Sequence, residues 1–160
     1  MVCGDLSVDG AGDWQTDPEL FRTLPGAEKI LDWFGILPSF HDATLAGLEV
    51  AQTSVTVRLD AHRMTDETDS NGYFILDRHA LVTFELMGVT ALSLAGCSTS
   101  ILSALRIRQI GAGDISPNEW VSCGGPDAGD YEVAIDTSYG LYGSIFAKRI
   151  ALTLTPREQP

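Results

Sequence analysis

A mostly β, β-rich α+β fold is the expectation for this chain: a bent antiparallel sheet or a two-layer sandwich of six to eight strands, with one short N-terminal helix. Three observations predict it. Apolar and polar residues alternate along several segments, as strands with one buried face require. The connections between those segments are too short for the crossovers that parallel strands need. A single segment carries an apolar stripe at helical spacing.

Residues 1–25 read as an acidic, partly ordered arm, with Asp5, Asp9, Asp13, Asp17 and Glu19 interspersed with glycine and Trp14 as an anchor. Residues 26–156 form the single β-rich domain. Pro25 suits the first turn of the helix, and Ala27, Ile30, Leu31 and Phe34 follow the i, i+3, i+4, i+7 spacing of a buried face. Gly35 is placed to stop it in a left-handed cap. After Pro38 the period becomes two. Leu48 and Val50 lead to a turn near Gln52-Thr53. Val55, Val57, Leu59 and Ala61 then alternate with Thr56, Arg58, Asp60 and His62. Residues 64–72 are polar and read as a long exposed loop. Val82, Phe84 and Leu86 form the next row, Gly88 marks a tight connection, and Leu92 and Leu94 return as a hairpin. Residues 100–104 suit a helical turn. Leu105 and Ile107 resume alternation, and residues 111–129 form a second long loop. Tyr131, Val133 and Ile135 make a strand. Phe146, Ile150, Leu152 and Leu154 share one parity of the last strand, with Lys148 inside the row.

At 160 residues the chain suits one domain, able to bury roughly 70% of its unfolded surface. A hydrophobic content of 44% is too high for a disordered chain. The net charge of -12, from 22 acids and 10 bases, argues against nucleic-acid binding and against docking on an anionic membrane. No apolar run approaches the roughly 20 residues of a membrane span, and the start lacks a basic n-region and an apolar h-region. Cys3, Cys97 and Cys123 form neither a CxxC pair nor a disulfide framework, so reduced thiols and a cytoplasmic location are expected.

The densest chemical signal is Trp33-Phe34-Gly35-Ile36-Leu37-Pro38-Ser39-Phe40-His41-Asp42-Ala43. His41 can be a base or metal ligand oriented by Asp42. Equally, Ser39 or Asp42 can cap the turn. Neighbours on a strand face opposite ways, which makes a direct His41–Asp42 relay awkward. His62 and His79 show no metal-ligand spacing, so neither a metal nor a cofactor is expected. No GxSxG elbow is present, and Gly111-Ala112-Gly113 lacks the context of a phosphate loop. Tyr139 and Tyr142 flank the turn Asp136-Thr137-Ser138-Tyr139-Gly140-Leu141-Tyr142-Gly143-Ser144. Between Arg108 and Lys148 there is no base, while Asp114, Glu119, Asp127, Asp130, Glu132 and Asp136 fall in that interval. With Asp66, Glu67 and Asp69 they predict a broad negative field, which reads either as a solvated acidic exterior that aids solubility or as a surface that steers toward a basic partner.

The run Trp33-Phe34-Gly35 with Pro38-Ser39-Phe40-His41-Asp42-Ala43 resembles the N-terminal signature of a bacterial immunity-protein family, number fifty of the polymorphic-toxin series. Ser138-Tyr139-Gly140-Leu141-Tyr142-Gly143-Ser144 resembles its C-terminal signature. Leu37 departs from that pattern, in which an aromatic precedes the proline. The similarity covers roughly residues 27–154 and implies a mostly β, non-enzymatic protein that neutralises a cognate toxin domain by stoichiometric binding. The expected partner contacts are Phe40, His41, Asp42, Asp66, Glu67, Asp69, Asp127, Asp130, Tyr139 and Tyr142, with the signature residues mainly building the fold and the acidic loops meeting the partner. Two alternatives stand beside this: a small hydrolase-like enzyme using His41 with a carboxylate, and a homo-oligomeric β-rich binding domain unrelated to toxins. Pairing of two copies through an exposed edge strand is compatible with either binding role.

Overall fold

The structure is a computed structural model that describes residues 14–96, 101–115 and 125–158. All three cysteines, and with them the expectation about thiols, lie outside the described residues. The described chain holds helices α1 (Pro18–Thr23) and α2 (Ala27–Phe34) and strands β1 (Thr44–Val50), β2 (Ser54–Thr68), β3 (Phe74–Ala95), β4 (Leu102–Gln109), β5 (Tyr131–Thr137) and β6 (Tyr142–Pro156). The strands form one six-stranded antiparallel sheet in the order β1-β2-β3-β6-β5-β4. No described helix is long and apolar enough to cross a membrane.

The sheet is built around a long β3–β6 ribbon. β2 pairs with β3 only as far as Met87, and β5 pairs with β6 only as far as Ala147. The ribbon changes face between those two ends. Leu86 and Ile150 point into the main core, yet so do Val89 and Ala147, an odd number of residues away. Gly88 makes the change at φ 65, where a Cβ would lie 3.1 Å from that of Lys148. The sheet therefore bends there, and Gly88 sits inside a strand rather than at a hairpin turn. Phe146 consequently does not share a face with Ile150. It joins Ala91 and Ile110 in a second cluster on the opposite side.

Bending brings the two edges together. Thr44 of β1 bridges Ile101, the Asp42 amide donates to the Leu102 carbonyl (2.9 Å), and the Leu102 amide donates to Ala43 (2.8 Å). The Ser138 amide also donates to Ile101 (3.0 Å). Both signature segments thus meet at the start of β4, where a helical turn was expected and a strand begins instead. Beyond this junction the outward amide of Ile107 is taken by Thr16 Oγ1 (2.9 Å), which covers part of the β4 edge.

Inside the curled sheet lie Val55, Val57, Leu59, Ala61, Val82, Phe84 and Leu86, in the alternation the sequence shows. Against them α2 turns Ala27, Ile30 and Phe34. Gly26 is its N-cap at φ 88, and a Cβ there would meet the Leu152 carbonyl oxygen at 1.8 Å. That contact, with the Leu152 amide donating to Pro25 (2.8 Å), seats the helix start directly on β6. Pro25 therefore precedes the helix rather than opening it. Within the segment expected to be an arm, Asp17 caps α1 by accepting from the Glu19 amide (2.9 Å), and Phe21 and Leu24 enter the core.

Candidate functional site

Residues 64–72 do not form a loop. β2 continues to Thr68 and β3 begins at Phe74, leaving a tight turn between them. The side chains there are mostly exposed on both faces, so no apolar alternation marks the strands. At the base of this hairpin a 360 Å³ cleft opens between the exit of α2, the Pro38–Asp42 turn and β2. Its lining includes Ile36, Ser39, His41, Asp42, His62 and Met64.

The turn has an unusual backbone. Phe40 and Asp42 both adopt positive φ, 58° and 66°. Left-handed backbone costs a side-chain-bearing residue of order 1 kcal/mol or more and persists only where surroundings impose it. Here Phe40 is locked in the core, edge-on to Phe84 at 5.4 Å, and Asp42 is held by its amide bond to β4. The left-handed turns also defeat the strand argument against a His41–Asp42 contact. His41 Nδ1 lies 3.0 Å from Asp42 Oδ2, so the carboxylate can fix the ring tautomer and leave Nε2 as the acceptor. The Ser39 hydroxyl accepts from the His41 backbone amide (3.3 Å).

His62 faces His79 across the strands, with ring centroids 5.8 Å apart. Burial, then the His79 charge, pulls the His62 pKa below its ordinary 6.5, against a smaller upward pull from Asp42. The folded state therefore resists a proton that the unfolded chain accepts. Stability should fall as pH drops below 6.5 toward the depressed folded value. Thermal melts of the His62→Gln variant between pH 8 and 5 should show a shallower decline than the parent; an identical decline would assign the effect elsewhere.

The hairpin base is clamped by Arg63, whose Nε and Nη2 donate to the two carboxylate oxygens of Asp77 (2.8 and 2.6 Å). That fork holds Asp77 below the usual carboxylate range. Trp33 Nε1 donates to the Arg78 carbonyl (2.9 Å), tying α2 to the same base.

A second cleft, of 500 Å³, lies on the opposite face of β4, β5 and β6, lined among others by Trp14, Arg106, Arg108, Glu132, Tyr142 and Ser144. Glu132 is buried there. It accepts from Arg108 Nε and from Ser144 Oγ (2.7 Å), with Arg106 Nη2 at 3.7 Å. Sequence reasoning placed Glu132 only in the acidic field; its burial follows from β5 being covered on both faces.

The ten expected contact residues do not form one patch. His41 and Asp42 line the first cleft. Asp66, Glu67 and Asp69 are exposed at the hairpin tip, and Tyr142 borders the second cleft. Tyr139 is 87% exposed on the turn bonded to Ile101. Phe40 and Asp130 are buried, although Phe40 also borders the first cleft beside His41 and Asp42. Phe40 packs on Phe84. Asp130, 1% exposed, accepts from Thr90 (2.6 Å), the Asp127 amide (2.9 Å) and Lys148. Burial pushes the Asp130 carboxyl up, but the bonds from Lys148, Thr90 and Asp127 outweigh it and hold the group ionised. Asp127, more exposed, shares the same Lys148 (2.7 Å). Among the described residues no three His, Cys, Asp or Glu side chains cluster to hold a metal ion. Compared with protein-family models, curated proteins and solved structures, the chain gives no match.

Proposed function

We propose that this chain is a non-catalytic immunity protein, which binds a cognate toxin domain one-to-one in the cytoplasm and blocks it. The observation that carries this reading is how the charge is distributed. Seven of the ten bases, Arg22, Arg58, Arg63, Arg106, Arg108, Lys148 and Arg157, are engaged in ion pairs with the chain's own acids. Among the described residues, Asp66, Glu67 and Asp69 are exposed and make no ion pair with another described residue. Such a surface accelerates encounter with a basic protein and repels nucleic acid. The resemblance of the two signature segments to an immunity-protein family supports the same reading. Among toxin-like domains expressed from genes that neighbour this chain's own, co-expression should restore growth against one, and calorimetry should give a one-to-one complex with it. Failure to protect, or protection by a small fraction of an equivalent, refutes stoichiometric inhibition.

One observation favours a second reading, a small hydrolase-like enzyme. The His41–Asp42 pair stands in an open cleft with the geometry of an oriented general base. Against it, the Ser39 hydroxyl is engaged by backbone rather than by the ring. The parent and the His41→Asn variant separate the two. Binding predicts a one-to-one complex with a toxin domain and no turnover by either protein. Catalysis predicts substrate turnover by the parent that the variant loses.

A further inference from the structure

We propose that the outer part of the β2–β3 hairpin, residues 63–77, is a preformed docking arm for a basic protein surface with an apolar recess; this rests on the toxin-binding reading and names its contact element. β1 pairs with β2 only up to Asp60, and β6 pairs with β3 only from Ala80 onward. Among the described residues, the hairpin beyond those points has no third strand beside it. Six residues from Arg63 to the turn extend it about 20 Å past the sheet.

A free two-stranded ribbon is marginal by itself, yet this one is braced at three places. The Arg63–Asp77 fork clamps the base. Thr65 Oγ1 donates to the Ile75 carbonyl (2.8 Å) midway. At the tip, Asp69 Oδ1 accepts from the amides of Asn71 (2.8 Å) and Tyr73 (3.0 Å). Bracing before contact lowers the ordering cost of binding.

The arm also carries what a solvated ribbon has no reason to carry. Tyr73 is 73% exposed, Phe74 55% and Met64 50%. Met64 stands opposite Leu76 and borders the first cleft beside exposed Ile36, so the apolar surface continues from arm to cleft. Aromatic and methionine side chains are the anchors enriched at protein interfaces. Around them stand Asp66, Glu67 and Asp69, with no base between Arg63 and Arg78. That sign selects the occupant. It repels nucleic acid, an anionic bilayer and a second copy of a chain carrying -12, and it attracts a basic protein.

The test titrates the full chain and two double variants against purified C-terminal domains of the polymorphic-toxin type expressed from genes that neighbour its own. Tyr73→Ser with Phe74→Ser should weaken binding about 30-fold or more, mainly through faster dissociation. Asp66→Asn with Glu67→Gln should slow association about tenfold at low salt and hardly at all at high salt. Unchanged melting temperatures establish that both variants fold. If the parent binds the toxin and both variants bind as well as the parent, the arm is overturned while the immunity reading survives. If the parent does not bind, both fall. Binding to phosphatidylserine vesicles, or a concentration-dependent dimer, that the Tyr73→Ser/Phe74→Ser change abolishes would overturn the basic-protein partner.

Discussion

Phe84→Ala should be among the most damaging single changes in this protein, costing about 3–5 kcal/mol of stability. Phe84 is fully buried at the centre of the curled sheet, paired with Val57 on β2 and Leu152 on β6. Truncation leaves a cavity that three hydrogen-bonded strands cannot collapse to fill. It also removes the edge-on partner that holds Phe40 in its left-handed backbone. The second effect reaches the cleft, because His41 and Asp42 hang from that turn. Chemical denaturation should show the loss, and the melting temperature should fall by roughly 10 °C or more for a chain of this size. A loss below about 1 kcal/mol would mean that the core repacks. The NMR chemical shifts of the His41 ring should report the displaced turn even at temperatures where the variant is still folded.

Glu132→Ala should cost about 3 kcal/mol or more. The carboxylate lies under the second cleft with Arg106, Arg108 and Ser144 converging on it, and the Arg106 side chain is itself largely buried. Removing the anion leaves guanidinium charge in a partly desolvated site, which is worse than never having buried the pair. Glu132→Gln keeps the volume and an acceptor for Ser144 but loses the charge, so its penalty should fall between the parent and alanine. Equilibrium unfolding in urea orders the three proteins; alanine and parent of equal stability would show that solvent screens the pair.

How much of this was legible in the sequence depended on whether a residue's neighbours were local. The helix over residues 27–34 and its glycine stop were readable because 3.6-residue periodicity and an αL cap are properties of the segment itself. The rows Val55 to Ala61 and Val82 to Leu86 were readable because one face meets the core and the other meets water. Helix α1 went unread although Asp17-Pro18-Glu19 is a cap, a favoured first residue and an acidic first turn. Six residues hold too little periodicity to display. The projecting hairpin was missed for the opposite reason. With solvent around it, its strands have no buried parity to announce them, and the exposed Tyr73 and Phe74 look like any strand-forming aromatics.

The site shows the same division. The string Ser39-Phe40-His41-Asp42-Ala43 stood out, but period-two reasoning placed His41 and Asp42 on opposite faces. The positive φ at Phe40 and Asp42 comes from core packing and from bonds to β4, roughly sixty residues along the chain. By itself, then, the sequence determined the β-rich class, the α2 helix, the inward rows and the acidic excess, since each follows from periodicity or composition within a short window. Only the tertiary structure decided the face change at Gly88, the junction of β1 with β4, the interior positions of Phe40 and Asp130 and the free arm at residues 63–77. Those features depend on which distant segments lie side by side, and the energy that selects them is shared among partners no local window contains.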